Sequence, residues 1–417
     1  MSLRFLFGVT VAVLTAFAPR AAGASLTADP PPPPSTLSAA APARPNVDVC
    51  FAEITGDNVT DFSSADGQAL RNALASVAPG ATVKLAGTCA GPIAEGGTTQ
   101  IALITKTVTL IGGYSAANWN VSYPATQTTV LNANSAGRGL YFVAVPGNAA
   151  NLSILYGASG LSGGGIAADG ALTLTGVTVF QSVSGQSGGG VWAGGTLAIS
   201  GTLFFSNKAF ANGGGAMAAA DARADGGIFL SNVTEQQSGG GMRVDGRLTL
   251  TNTQFITNTA RVTGGGAYSA LTATVSGAYF ERNGTQVFDG GGLYAAGALS
   301  MTDTRFFSNT AADWGGGALA NGPVSLTGGL FQNNRATTRG GGLYAANALA
   351  LSGTAFISNT APNDGGGLWA GGSIAATNAL FERNGAVSNA GGGVYATGAA
   401  TVTGTRFLSN TAGSLGG

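Results

Sequence analysis

The chain has 417 residues, of which 70 are glycine and none is histidine, and charged side chains make up only 9%. Lys plus Arg and Asp plus Glu stand at 18 each, so nothing neutralises a phosphate backbone and no nucleic-acid partner is expected. Without histidine there is no Ser-His-Asp or Cys-His triad, and no metal or other cofactor is expected either.

Residues 1–24 read as a secretory signal: Arg4, then an apolar stretch from Phe5 to Ala18, then a small-residue cleavage site at Ala22-Gly23-Ala24. Residues 25–46, with five consecutive prolines from Pro30 to Pro34, predict a stiff, unfolded spacer. Cys50 and Cys89 are the only cysteines, and an oxidising compartment would pair them.

Residues 47–160 form an N-terminal cap and the first coils of the body. Asp66 is placed to cap a helix over Gly67 to Ala78, with Leu70, Leu74 and Val77 on one face and Pro79-Gly80 ending it. A solenoid must cover its open end, and this helix suits that task. The stretches "ATVKLAGT" and "TKTVTLIGGY" read as strands of the first coils.

Residues 161–417 repeat. Glycine triplets begin at Gly163, Gly188, Gly213, Gly239, Gly264, Gly290, Gly315, Gly340, Gly365 and Gly391, always 25 or 26 residues apart. A Phe recurs at 180, 204, 229, 255, 280, 306, 331, 356, 381 and 407. Such a period is too short for two packed helices. Alternating runs such as "LTATVSGAYF" fit three short strands and three turns. The fold class predicted is all-β, a single-stranded parallel β-helix of about 25-residue coils with an N-terminal helical cap.

Stacked coils place equivalent residues in columns. Ten Phe rings should stack along the core. Three residues after each Phe from Phe204 onward stands Asn207, Asn232, Asn258, Asn283, Asn309, Asn334, Asn359, Asn384 or Asn410. An amide both donates and accepts, so this column should bond coil to coil, and Asn also tolerates a left-handed turn.

The paired motifs F-x-x-N and G-G-x-[ILV], as in Phe306-Phe307-Ser308-Asn309 and Gly316-Gly317-Ala318-Leu319, resemble the repeats of the chlamydial polymorphic membrane protein family. The resemblance covers residues 163–417, although Gly-Gly-Gly-Leu-Tyr dominates the second motif. It implies a cell-surface β-helix that works as an adhesin, with extracellular glycans or cell-surface proteins as partners. The family's C-terminal membrane barrel has no counterpart in these residues. Membrane association is therefore expected only through a further C-terminal region or an uncleaved signal. The chain stops two residues into an eleventh glycine triplet, at Gly416-Gly417, which predicts a parent protein with more coils.

Two columns are candidate binding residues. Following each triplet, an apolar residue precedes Trp192, Tyr268, Tyr294, Tyr344, Trp369 or Tyr395, and a small residue follows it. If the flanking residues face inward, the aromatics form an outward stripe for glycan rings or protein partners. Just before four consecutive triplets stand Asp289, Trp314, Arg339 and Asp364, a set that could hold a sugar. The expectation is a non-catalytic structural or adhesive protein, secreted or held at the cell surface and outer envelope. The alternative is a polysaccharide lyase or glycoside hydrolase on a pectate-lyase-like β-helix. Glu281 and Glu382, in identical "FERNG" phrases, lie four coils or roughly 20 Å apart, too far for a catalytic pair.

Overall fold

A computed structural model describes residues 49–417, so the expected signal and proline-rich spacer lie outside the described residues. The described chain winds into a parallel β-solenoid of about 13 turns, each of about 25 residues. From Arg138 onward each coil carries four strand segments, one more than the sequence reading allowed. In the coil that starts at Gly340 they are Leu343–Ala345, Leu349–Ser352, Ala355–Ile357 and Thr360–Ala361. Below they are called the first, second, third and fourth faces. The first faces stack into a 13-stranded sheet and the fourth into an 11-stranded one, while the second and third share a 27-stranded sheet.

Coil-to-coil register is exact to the residue from 166 onward, as in Leu343↔Leu368, Tyr344↔Trp369 and Ala345↔Ala370. This is why alternation holds on each face: Leu343, Ala345, Leu349, Leu351 and Phe356 all point into one continuous core. Along that core the rings from Phe204 to Phe407 stack, with neighbouring centroids 4.5 to 5.1 Å apart and planes within 8°. Phe180 is a correction. Val179, not Phe180, registers with Phe204, and Phe180 instead joins an outer cluster with Val130 and Leu155. The column therefore holds nine rings, not ten, because the triplet-to-Phe spacing is one residue longer in that coil.

The Asn column behaves as the amide chemistry requires. Asn309 Oδ1 accepts from the backbone N–H of Asn283 at 3.0 Å and from its Nδ2 at 2.9 Å. Asn309 Nδ2 in turn donates to the Phe280 carbonyl at 2.9 Å and to Asn334 Oδ1 at 3.0 Å. Both amide hydrogens and both acceptor sites are used, inside a fully buried corner. The left-handed turn was expected at these Asn residues and falls one residue earlier, on Ser308 (φ 53°), Arg282 (φ 52°) and their equivalents. Asn stands in this column for its hydrogen bonds. The strained conformation is left to whatever residue precedes it.

The triplets bring coils into backbone contact. Gly315 has φ +66°, and a Cβ on Gly316 would collide with the backbone of Arg335 and the Gly341 carbonyl. Gly317 faces the Gly342 carbonyl in the same way. One glycine serves conformation and two serve close approach.

At the N-terminal end of the described chain Cys50 and Cys89 form a disulfide, tying Cys50–Glu53 to Thr82–Ala90. The helix α1 covers Gln68–Ser76, shorter than expected at both ends. Gly67, not Asp66, stands at the N-cap and makes no side-chain cap. One residue earlier, Asp66 Oδ1 accepts from the Gln68 N–H at 2.8 Å, and Lys106 Nζ donates to the carbonyls of Leu74, Ala75 and Val77. Leu70, Leu74 and Val77 of this segment belong to the same core as the coils. Among the described residues no helix is long and apolar enough to cross a membrane.

Candidate functional site

The two candidate columns lie side by side on the outside of the first faces, because each pre-triplet residue sits at the turn that leads into a first-face strand. Leu293, Leu343 and Leu368, with Ala295, Ala345 and Ala370, are fully buried, so the residue between each pair points outward as the alternation predicts. The outward column reads Trp192, Met217, Arg243, Tyr268, Tyr294, Leu319, Tyr344, Trp369, Tyr395.

These side chains cover one another. Tyr268 stacks on Tyr294 at 5.2 Å, and Tyr344 on Trp369 at 4.2 Å with planes 4° apart. Trp314 closes the other face of Tyr344 at 4.9 Å, and Tyr395 lies 6.5 Å beyond Trp369. Leu319 fills the gap between Tyr294 and Tyr344. Stacking leaves Tyr344 only 7% and Trp369 only 9% exposed. Most ring faces are thus taken by neighbours, and the Nε1 atoms of Trp314 and Trp369 are buried without a hydrogen-bond partner. Trp192 stands apart, flanked by Ala167 and Met217 instead of by rings. Arg243, which the sequence reading did not single out, lies 4.6 Å over Tyr268 and covers that end of the aromatic stack. Reading every residue of the column, and not only its aromatics, would have found it.

The pre-triplet column is also bonded coil to coil. Asp289 Oδ1 accepts the backbone N–H of Trp314 at 3.0 Å, and Arg339 Nε meets Asp364 Oδ2 at 3.2 Å. Trp314 and Arg339 are bridge partners in adjacent coils, and the Arg339 guanidinium lies 5.8 Å over the Trp369 ring. The structure therefore brings Trp314, Arg339 and Asp364 together with Tyr344 and Trp369. Asp289 joins them through the backbone of Trp314.

Burial raises the Tyr294 and Tyr344 hydroxyl pKa values above the ordinary tyrosine range. Asp289 is pushed up to about 6, mainly by burial and partly by nearby Asp313, against the Trp314 hydrogen bond. Folded protein then holds a proton on Asp289 that unfolded protein has released between roughly pH 4 and 6, so stability falls as pH rises through that window. Asp289→Asn should leave stability unchanged near pH 4 and raise it by about 1 kcal/mol at pH 7, after allowing for solvent at this edge. Urea midpoints at the two pH values check this.

Glu281 and Glu382 lie on the third face, four in-register steps apart through Phe307, Gln332 and Ile357. Each is paired with the next residue, Glu281 with Arg282 at 2.8 Å and Glu382 with Arg383 at 2.9 Å. Among the described residues no group of three or more acidic or cysteine side chains could hold a metal ion. The chain matches no protein-family model, and no similar curated protein or solved structure was found.

Proposed function

We propose that this chain is a secreted or surface-displayed adhesive rod that works without catalysis, of the polymorphic-membrane-protein kind its repeats resemble. The observation that carries this reading is the use of the candidate side chains. Asp289 with Trp314, Arg339 with Asp364, and Tyr344 with Trp369 are each engaged one coil away. Groups held in this way stiffen a rod and give it a constant edge, which suits repeated weak contacts to an extended partner. The aromatic edge of the first faces, from Tyr268 to Tyr395, is the contact surface in this reading, and extracellular glycans or cell-surface proteins are the partners. Helix α1 acts as the lid of the first coil, laying Leu70 and Leu74 over core that would otherwise meet water. The Cys50–Cys89 disulfide fits an oxidising, extracellular setting.

Changing Tyr294, Tyr344 and Trp369 together to Ala tests the reading. The variant should lose adhesion to glycan arrays and cell surfaces while its far-UV circular dichroism stays strand-like, because Leu293, Leu343 and Leu368 still fill the core. It should also lose roughly 2–4 kcal/mol of stability from the broken stack. Unchanged adhesion would defeat the assignment of this edge.

A further inference from the structure

The second face follows one rule through the repeats, and one coil breaks it. Its strands read Leu-Thr-Leu-Thr at 172–175 and again at 248–251, with the apolar residues inward and the hydroxyls outward. Elsewhere the outward positions are Ser, Thr or Ala, as in Ser300 and Thr302 or Ala375 and Thr377. The strand Ala222–Asp225 alone carries charge there, with Arg223 and Asp225 outward and Ala222 and Ala224 buried. Among the described residues neither Arg223 nor Asp225 belongs to an ion pair, although other charged groups of the molecule are paired.

Two shallow surface depressions lie at the same place. A shallow, open depression of about 280 Å³ is lined by Thr196, Ala198, Asp221, Arg223, Arg247 and Thr249. A second, of about 180 Å³, is bounded by Thr173, Thr175, Ser200 and Asp225, and shares Ala198 and Arg223 with the first. Register explains the groove. Ala198 sits between Thr173 and Arg223 in its column, so a short side chain forms a floor beside a long one. Arg223 and Asp225 project from the same strand two residues apart, roughly 7 Å, and so set a fork of donors beside a pair of acceptors.

We propose that this groove binds a segment of neutral saccharide, with the Arg223 guanidinium and the Asp225 carboxylate hydrogen-bonding its hydroxyls over the Ala198 floor. Neutrality follows from the lining. Arg223 and Arg247 are balanced by Asp221 and Asp225, and Asp221 is already engaged by the Arg247 backbone N–H at 2.7 Å. An acidic sugar would gain no net attraction there, whereas a polyol can use donor and acceptor together. The groove lies on the second face, so the inference does not depend on the adhesive role of the aromatic edge.

Isothermal titration calorimetry of the full chain with cellohexaose, mannohexaose and a galacturonate hexamer, at low and high salt, tests the proposal. At least one neutral hexasaccharide should bind with an affinity that salt does not weaken. Arg223→Ala with Asp225→Ala should lower that affinity at least about tenfold, and Asp225→Asn alone should lower it less. The Tyr294, Tyr344 and Trp369 triple variant should bind the hexasaccharide as the wild type does, whatever becomes of its adhesion. The proposal is overturned by absence of binding to both neutral hexasaccharides, by galacturonate binding that salt abolishes with no neutral binding, or by undiminished affinity in the folded Arg223/Asp225 double variant. Loss of saccharide binding in the aromatic variant alone would move the site to the first face and overturn it equally.

Discussion

Asn309→Ala should destabilise the solenoid by roughly 4–6 kcal/mol, out of proportion to the few atoms removed. The substitution removes the partner of three buried groups, the N–H of Asn283, one Nδ2 hydrogen of Asn283 and the Phe280 carbonyl, and leaves Asn334 Oδ1 with only the backbone N–H of residue 309. Water cannot reach a corner in which Asn283, Asn309 and Asn334 are at most 1% exposed, so each orphan carries its desolvation cost. Because a solenoid couples neighbour to neighbour, the damage should centre on that coil. Hydrogen exchange would show it as lost protection at the Asn283 amide, with amides near Cys50 unchanged. A cost below about 1 kcal/mol would mean that the ladder is incidental to stability.

Gly316→Ala should be at least as damaging, and Gly353→Ala is its control. Both positions are glycine in a repeat, yet their surroundings differ. A Cβ on Gly316 strikes backbone atoms of Arg335 and Gly341, which cannot yield unless two coils separate. A Cβ on Gly353, at φ +63°, meets nothing within 4 Å, so only the left-handed backbone opposes it, at about 1–2 kcal/mol. The Gly316 variant should exceed that by several kcal/mol or fail to fold, since overpacking against rigid backbone has no cheap relief. Thermal melts of the two purified variants compare them. Similar melting temperatures would show that the triplets serve turn conformation alone.

The coil length, the register and the inward positions were legible in the sequence because each residue type recurs at a fixed step, and a stacked fold makes that step physical. Leu343, Phe356 and Asn359 could each be placed from their spacing alone, and all three are buried. Phe180 was misplaced for the same reason: it matches the residue type of the column but not the step from its triplet, and the structure follows the step. The fourth strand segment was missed because Thr360–Ala361 is two residues long and too short for any alternation to register. The left-handed residue was assigned to Asn by its general tolerance of that conformation, whereas tertiary hydrogen bonds decide this corner and leave Arg282 and Thr257 in it.

In the candidate site the outward direction of Tyr344 and Trp369 could be inferred from Leu and Ala on either side. Their mutual stacking could not, because the period fixes which residues are neighbours and not how their rings tilt. The pairing of Arg339 with Asp364 was similarly hidden, since charge at matching positions does not say whether the groups face solvent or each other. Arg223 and Asp225 were in plain view as a break in the Leu-Thr-Leu-Thr pattern. A search for what repeats passes over the coil that does not.

The most direct test of a non-catalytic rod is to incubate the purified chain with pectic and neutral polysaccharides and measure adsorption and released ends in the same tubes. Adsorption without any growth of reducing or unsaturated ends over time is the predicted result. Sustained release of such ends, lost in a folded variant of this chain's own acidic residues, would contradict it and make the protein a polysaccharide lyase or hydrolase.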